Sequence, residues 1–414
     1  MKIGKKILIL GGGTGGIVTA NKLAELLPKG NEIILIEKNE RHSFAPSFLW
    51  LMAGQRTEKD IVNSVTALLD KRVDIRYEEV ISIDIGKSTV STNKNTEKYD
   101  YLVVALGAEL HIESIPGLPA DAYNFYTLDG AKKLYENLNT FKSGKIAVVI
   151  ASLPFKCPAA PYEGAMLIAD FFRKKGTIKD IEISLYTPEP LPMPVGGPVL
   201  GNAVKQIIES KGIQYKSQHK LYEVDGFKRI LNFEDQKSYG YDLLVVVPPH
   251  KAPAVIRQSE LAGENGWIPV DRSTLQTKFP NVYAIGDNVS ISIPGMWVSG
   301  VPMNLPKAGV FAHLQADTVA QRISDNINGI DTKSEFCGTG YCMLEAGEHI
   351  AGLAYGNFYG TPAPDVKVKK TGWLWHFSKV LFEKWWLAPI GFKKSFYKLI
   401  INTGSKIFKI PAKI

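Results

Sequence analysis

Apolar residues in this chain gather in short unbroken runs, set apart by glycine-rich turns and by segments with helical spacing. Lys6–Leu10, Glu32–Ile36, Lys145–Ile150 and Ile181–Tyr186 are such runs. Too short for helices and apolar on both sides, they predict strands buried in a parallel sheet. Between the first two, Val18, Leu23, Leu26 and Leu27 recur at helical spacing and predict a helix over Ile17–Leu27. The pattern changes in the tail. From Thr371, one helical face carries Phe377, Leu381 and Trp385 and another carries His376, Lys379 and Glu383. Past Pro389 a second stripe of Phe392, Phe396, Leu399 and Ile400 runs beside Lys393, Lys394 and Lys398. No stretch of about 18 apolar residues occurs, so no spanning helix is expected.

The first strand runs into Gly11-Gly12-Gly13-Thr14-Gly15-Gly16. Read as G-x-G-x-x-G, Gly11 permits the tight turn, Gly13 lets a pyrophosphate reach the backbone, and Gly16 lets the helix pack on the strand. Thr14 and Gly15 complete the loop. The second strand ends at Glu37-Lys38, where a carboxylate is placed to hold a ribose hydroxyl. Two later segments separate FAD from NAD. YDYLVVALG, with Ala105 and Gly107, resembles the turn that closes the FAD domain in two-dinucleotide-fold flavoproteins. NVYAIGD, with Gly286 and Asp287, resembles their second flavin motif, and Pro306-Lys307 opens a helix aimed at the flavin. The expectation is an α/β chain of two Rossmann-like dinucleotide-binding domains in tandem, plus a C-terminal amphipathic helical membrane-attachment region. The FAD domain is split between 1–112 and 256–330. A second fold occupies 113–255, and a redox-cysteine and membrane region occupies 331–414.

In the second fold the glycine turn is missing. After Lys145–Ile150 comes ASLPFKCPAAPYEG, with three prolines and Cys157 where backbone N–H groups would meet a pyrophosphate. The next strand ends in Thr187-Pro188 without an acid at its tip, although Glu189 stands two residues on. The fold is kept and the nicotinamide nucleotide site is lost.

Charge is uneven. Residues 366–414 hold eleven lysines and one acid, Glu383, leaving 1–365 at a net charge of −2. Nucleic-acid binding would spread Arg and Lys over a folded face, so that partner is excluded. The apolar run at the N-terminus is too short for a signal peptide. The three cysteines, Cys157, Cys337 and Cys342, make no disulfide scaffold. No metal-ligand spacing or C-x-x-C occurs, and no metal is expected.

KCPAAPYEG, TPEPLPMPVGG and GTGYCMLEAG resemble the sulfide:quinone oxidoreductase and flavocytochrome c sulfide dehydrogenase family, a likeness running from residue 1 to about 400. The resemblance implies oxidation of sulfide to polysulfide or sulfur, with two electrons passing through FAD to membrane quinone. It also implies a redox pair beside the flavin: Cys157 with Cys342, whose context is the closer match, or with Cys337. Lys156 is the candidate cation beside Cys157. Glu163 either relays protons or is an ordinary first-turn acid. Arg41–Phe48 has no cysteine, so FAD is expected to be non-covalent, with His42 structural. Phe336, Tyr341, Phe358 and Tyr359 are candidate quinone-pocket aromatics. The basic aromatic tail suits peripheral, monotopic attachment to an anionic membrane; its face, and a homo-oligomer, stay open. The alternatives are a type II NADH:quinone dehydrogenase and a sulfide dehydrogenase with a cytochrome c acceptor.

Overall fold

The structure is a computed structural model that describes residues 4–410. Its principal strands are β1 (Lys6–Leu10), β2 (Glu32–Glu37), β3 (Val73–Tyr77), β4 (Tyr101–Val104), β5 (Gly144–Ile150), β6 (Ile181–Tyr186), β7 (Gln214–Lys216), β8 (Leu243–Val247), β9 (Val282–Ala284), β10 (Thr339–Glu345), β11 (Ala351–Asn357) and β12 (Asp365–Gly372). The principal helices are α1 (Thr14–Leu26), α2 (Leu128–Thr140), α3 (Ala160–Lys175), α4 (Gly197–Ser210), α5 (Gly309–Asn328), α6 (Trp373–Leu387) and α7 (Phe392–Phe408).

A first parallel sheet has the order β9-β4-β1-β2-β3. β9 returns from far down the chain to pair with β4, Val282 opposite Leu102, so this unit is built from two separated stretches of sequence. Ile7, Leu8, Ile9 and Leu10 are fully buried, as a strand covered on both faces requires. α1 and α5 pack together over this sheet. The helix expected from Ile17 begins at Thr14, so Gly15 and Gly16 lie in its first turn. A second parallel sheet, β7-β6-β5-β8, is flanked by α3 and α4.

The last part of the chain holds more than helices. β10, β11 and β12 form an antiparallel sheet before the tail. Val366, Lys367, Val368 and Lys369 alternate along β12 with the period of a strand, which is the signal that marks it.

The two tail helices are unalike. α6 packs on the body with its polar face inward: Lys379 and Glu383 are buried, as are Trp385 and Trp386. Arg56 grips the Glu383 carboxylate through Nε and Nη2 at 2.9–3.1 Å, and Ser47 Oγ donates to it at 2.6 Å. The partners of that polar face lie hundreds of residues upstream, so nothing near it in the sequence marks it as inward-facing. α7 has no buried residue and presents Phe392, Phe396, Leu399 and Ile407 to solvent. No described helix is long and apolar enough to cross a membrane.

Glu383 has no exposure and Arg56 little, so the pair sits where an unpartnered charge is costly. Arg56→Met is expected to lower unfolding free energy by about 3 kcal/mol, read as a drop in the urea midpoint. Arg56→Met combined with Glu383→Leu should recover most of that loss.

Candidate functional site

The glycine turn builds a cradle. Gly11 has φ +99°, a conformation that favours glycine, and a Cβ there would meet the Ala105 carbonyl at 2.5 Å. A Cβ on Gly16 would lie 1.8 Å from the Gly11 carbonyl oxygen, so this glycine seats α1 against the strand. Gly13 faces open space, with nothing within 4 Å of an added Cβ. Gly13 caps α1 without a side-chain hydrogen bond, leaving the first-turn N–H groups available to an anion. Together with Gly11, Gly13, Thr14 and Gly15, a cavity of about 350 Å³ is lined by Glu37, Lys38, Ala105, Gly107, Gly286 and Asp287. The open space at Gly13 and the uncapped helix fit the pyrophosphate of FAD.

Both halves of the unit meet at this cavity. Asn288 Oδ1 accepts from Gly107 N–H at 3.2 Å, while its Nδ2 donates to Val104 and Ile285 carbonyls. Gln315 on α5 accepts from Gly286 N–H at 2.8 Å. Sequence reasoning missed both of these stitching residues. Glu37 is held in place by Gly12 and Asn39 N–H donors at 2.7 and 2.8 Å. Asp287 is half-buried, and its Oδ1, out of reach of solvent, has no hydrogen-bond partner among the described residues. Burial holds its carboxyl above the usual range, with Lys156 and Lys307 acting against the shift. An orphaned acceptor here fits a ribityl hydroxyl donor. Lys307 donates to the Asp287 and Val289 carbonyls at 2.8 Å, and burial lowers its ammonium to about 8.

His42 bridges the glycine turn and the tail. Trp386 Nε1 donates to its Nε2 at 2.8 Å, and its Nδ1 lies 3.1 Å from the Gly12 carbonyl. Burial keeps the ring below its ordinary pKa, so it is neutral and donates through Nδ1.

A second cavity of about 490 Å³ adjoins the first. Cys157, Cys342, Glu189, Pro306, Lys307 and Trp267 are among its walls. The first turn of α5 separates the two spaces: Gly309 and Ala312 face the cradle, while Val310 and Phe311 face the second cavity. Cys157 sits at φ +55°, a left-handed conformation rare for a side-chain-bearing residue. Its N–H is anchored on the Lys307 carbonyl at 2.6 Å. Cys342 arrives on β10, opposite Ala354. Cys337 is exposed and lines neither cavity. The fold therefore brings Cys157 and Cys342 together and leaves Cys337 apart.

Burial pushes the Cys157 thiol up to about 12; Glu163 adds to the shift and Lys379 opposes it. Burial raises Cys342 as well, with the same two groups acting in the same senses. The cation felt by both sulfurs is thus Lys379 of α6. Lys156 instead reaches the Ala108 carbonyl at 3.4 Å, because the turn at Cys157 aims it toward the first unit. Glu163 is no ordinary solvated first-turn acid: it is buried, and its Oε1 accepts from Lys379 Nζ at 2.5 Å and from Glu345 N–H at 2.8 Å. Burial works against the Lys379 charge, but Glu163 and Glu345 hold its ammonium above the ordinary value. Glu345 in turn bonds His376 Nδ1 at 2.9 Å, and the His376 ring meets exposed His349 at 3.3 Å.

The four candidate quinone aromatics do not form one pocket. Tyr341 and Phe358 face the cysteine cavity. Phe336 and Tyr359 pack edge-on to each other, and Phe336 and Phe358 both pack edge-on to Phe311. The sequence marks these rings as aromatic but not as a packing cluster centred on a helix residue. In the second fold, Pro161 occupies the first turn of α3 and Ala160 N–H is spent on the Cys157 carbonyl at 3.0 Å. Nothing there resembles the open glycine cradle of the first fold.

A family model for pyridine nucleotide-disulphide oxidoreductases matches residues 5–310. A mitochondrial sulfide:quinone oxidoreductase of Mus musculus is 31% identical over 295 residues, covering 68% of this chain and 65% of that relative, just under two thirds of its length. A sulfide-quinone reductase of Aquifex aeolicus is 26% identical over 400 residues, covering 93% and 91%. The crystal structure of the Aquifex aeolicus sulfide:quinone oxidoreductase superposes with a TM-score of 0.84 at 23% identity, covering 99% of this chain and 96% of that one. That likeness shows the fold.

Two glycine variants separate binding from folding. Gly13→Val is expected to leave the apoprotein's thermal midpoint unchanged while weakening flavin retention by about tenfold or more, read from the flavin-to-protein absorbance ratio. Gly16→Ala, clashing with backbone, should destabilise even the flavin-free protein by about 2 kcal/mol.

Proposed function

The chain belongs to the pyridine nucleotide-disulphide oxidoreductase family and is an FAD-dependent oxidoreductase, and on that premise we propose that it is a sulfide:quinone oxidoreductase. It oxidises sulfide at Cys157 and Cys342 and passes the electrons through non-covalently held FAD to a membrane quinone. The observation that carries this reading is the shared cavity of the two thiols, walled by Lys307 and the first turn of α5, which also bounds the dinucleotide cradle.

In the oxidised enzyme Cys157 and Cys342 are joined as a disulfide. Hydrosulfide attacks one sulfur, a new S–S bond forms, and the old one breaks with its electron pair leaving on the other cysteine. The products are a persulfide and a thiolate; each further sulfide that lengthens the chain to polysulfide must give up two electrons along the path to quinone. The thiolate needs positive charge nearby, which Lys379 supplies from a position fixed by Glu163. Held in the cradle of Gly11, Gly13, Glu37 and Asp287, FAD would supply two-electron redox chemistry between the sulfur pair and quinone. The Glu345 carboxylate, His376 and the exposed His349 form a separate polar chain to the surface. Loss of the second glycine turn removes the nicotinamide nucleotide as donor.

Acceptor access follows from the tail. α7 presents an apolar stripe flanked by Lys393, Lys394 and Lys398, and Trp373 and Phe377 are exposed on α6. Such a surface lies on an anionic bilayer without crossing it.

Anaerobic sulfide is expected to bleach the oxidised flavin band, and NADH to leave it unchanged; the reverse result would point to an NADH dehydrogenase. Cys157→Ser and Cys342→Ser should each slow sulfide-driven bleaching by about 100-fold or more while Cys337→Ser retains it. Mass spectrometry of the unreduced protein should map a 157–342 bridge. Phe392→Asp with Phe396→Asp should abolish co-sedimentation with vesicles rich in phosphatidylserine while leaving sulfide-driven bleaching intact.

A further inference from the structure

The cysteine cavity contains a carboxyl that the steps above do not use. Glu189 follows β6 by three positions, near the place where a nucleotide-binding fold puts its ribose acid. Here it is 4% exposed and lines the same cavity as Cys157 and Cys342. Its Oε2 accepts a short hydrogen bond from the Tyr162 hydroxyl on α3 and another from Thr187 Oγ1 at 3.3 Å. Its own N–H donates to Thr187 Oγ1 at 3.1 Å.

The charged and titratable groups around it divide by element. α3 contributes Tyr162, and β7 contributes Tyr215, whose ring lies 6.5 Å from that of Tyr162. Cys157 and Cys342 share the cavity with it, and Lys307 forms another part of the wall. His219 sends its backbone N–H to Thr187, but its ring turns away to the Ser217 carbonyl and Tyr239. Among the described residues no lysine, arginine or histidine forms an ion pair with Glu189. This is the contrast with Glu163, which forms an ion pair with Lys379. A carboxyl held only by neutral donors in a buried wall exchanges its proton at small cost.

We propose that Glu189 is the proton acceptor for hydrogen sulfide in this cavity. The assignment rests on the sulfide reading above and adds a residue to it. The Glu189 carboxylate takes one S–H proton, and the bonding pair stays on the incoming sulfur. That sulfur forms a bond to one cysteine of the bridge, the bridge S–S bond breaks, and its pair leaves on the other cysteine as thiolate. Hydrogen sulfide, disulfide and carboxylate become persulfide, thiolate and carboxylic acid, with the sulfide sulfur oxidised and the bridge reduced. Burial pushes the Glu189 carboxyl up to about 7, with Tyr162 and Thr187 pulling against the shift. A base of that strength is matched to the working pH.

The test is anaerobic flavin reduction of the holoenzyme by sulfide at two pH values. At about pH 6.5, where dissolved sulfide is mostly neutral and a fraction of the Glu189 carboxyl is still ionised, Glu189→Gln should be slower than wild type by about threefold or more. At about pH 9, where sulfide arrives already as the monoanion, the variant should converge on wild type. A merely structural role would slow both by one factor, and that result, or no slowing, overturns the assignment of Glu189 alone. A wild-type flavin that sulfide does not reduce at either pH overturns the functional reading and this proposal together. Infrared titration supplies a readout independent of turnover: a carboxylic acid C=O band should titrate near pH 7 in wild type and vanish in Glu189→Gln. Its absence in wild type also overturns the proposal.

Discussion

The contact between Lys379 and Glu163 joins three parts of the chain that are remote in sequence. Glu163 belongs to the first turn of α3, Lys379 to α6 near the C-terminus, and Glu345, whose N–H completes the carboxylate's partners, ends the strand that carries Cys342. Both charges are buried, so neither is tolerated without the other. The requirement fixes α6 with its polar face against the body. The pair also acts on both thiols in opposed senses: Glu163 adds to the rise that burial causes, and Lys379 works against it.

Around that contact the molecule separates two tasks. The first sheet and its glycine turn make an open, donor-rich cradle suited to a dinucleotide. The second sheet keeps the strand order of such a fold, while proline, cysteine and inward-turned side chains fill the place of its cradle. Cys157, Glu163 and Glu189 all sit within or near that refilled site. Two sheets of like order thus present two different surfaces to the first turn of α5, one a glycine cradle and one lined by Cys157 and Cys342.

Local chemistry was legible in the sequence. The roles of Gly11, Gly13 and Gly16 follow from φ and close approach, which are properties of single positions, and the structure places them as the turn requires. The missing second glycine turn was equally plain. Long-range electrostatics was not. Lys379 reads as one more lysine in a basic tail, and Lys156 looks closer to Cys157 because it is adjacent in sequence; only the fold shows which ammonium faces the sulfurs. The antiparallel sheet was legible in the Val-Lys alternation of β12 but was overshadowed by the helical signal after it. Asn288 and Gln315 stitch the split unit through side-chain amides, and no motif announces such bonds.

The return of β9 to the edge of the first sheet has a consequence for biosynthesis. Gly11 through Gly107 leave the ribosome early, but Gly286, Asp287 and the start of α5 emerge some 180 residues later. Until they do, strand β4 has an open edge and the cradle lacks a wall, so the nascent N-terminal part cannot retain its prosthetic group as a finished domain would. Completion of the cradle is therefore a late event in the synthesis of this polypeptide, following translation of the second unit.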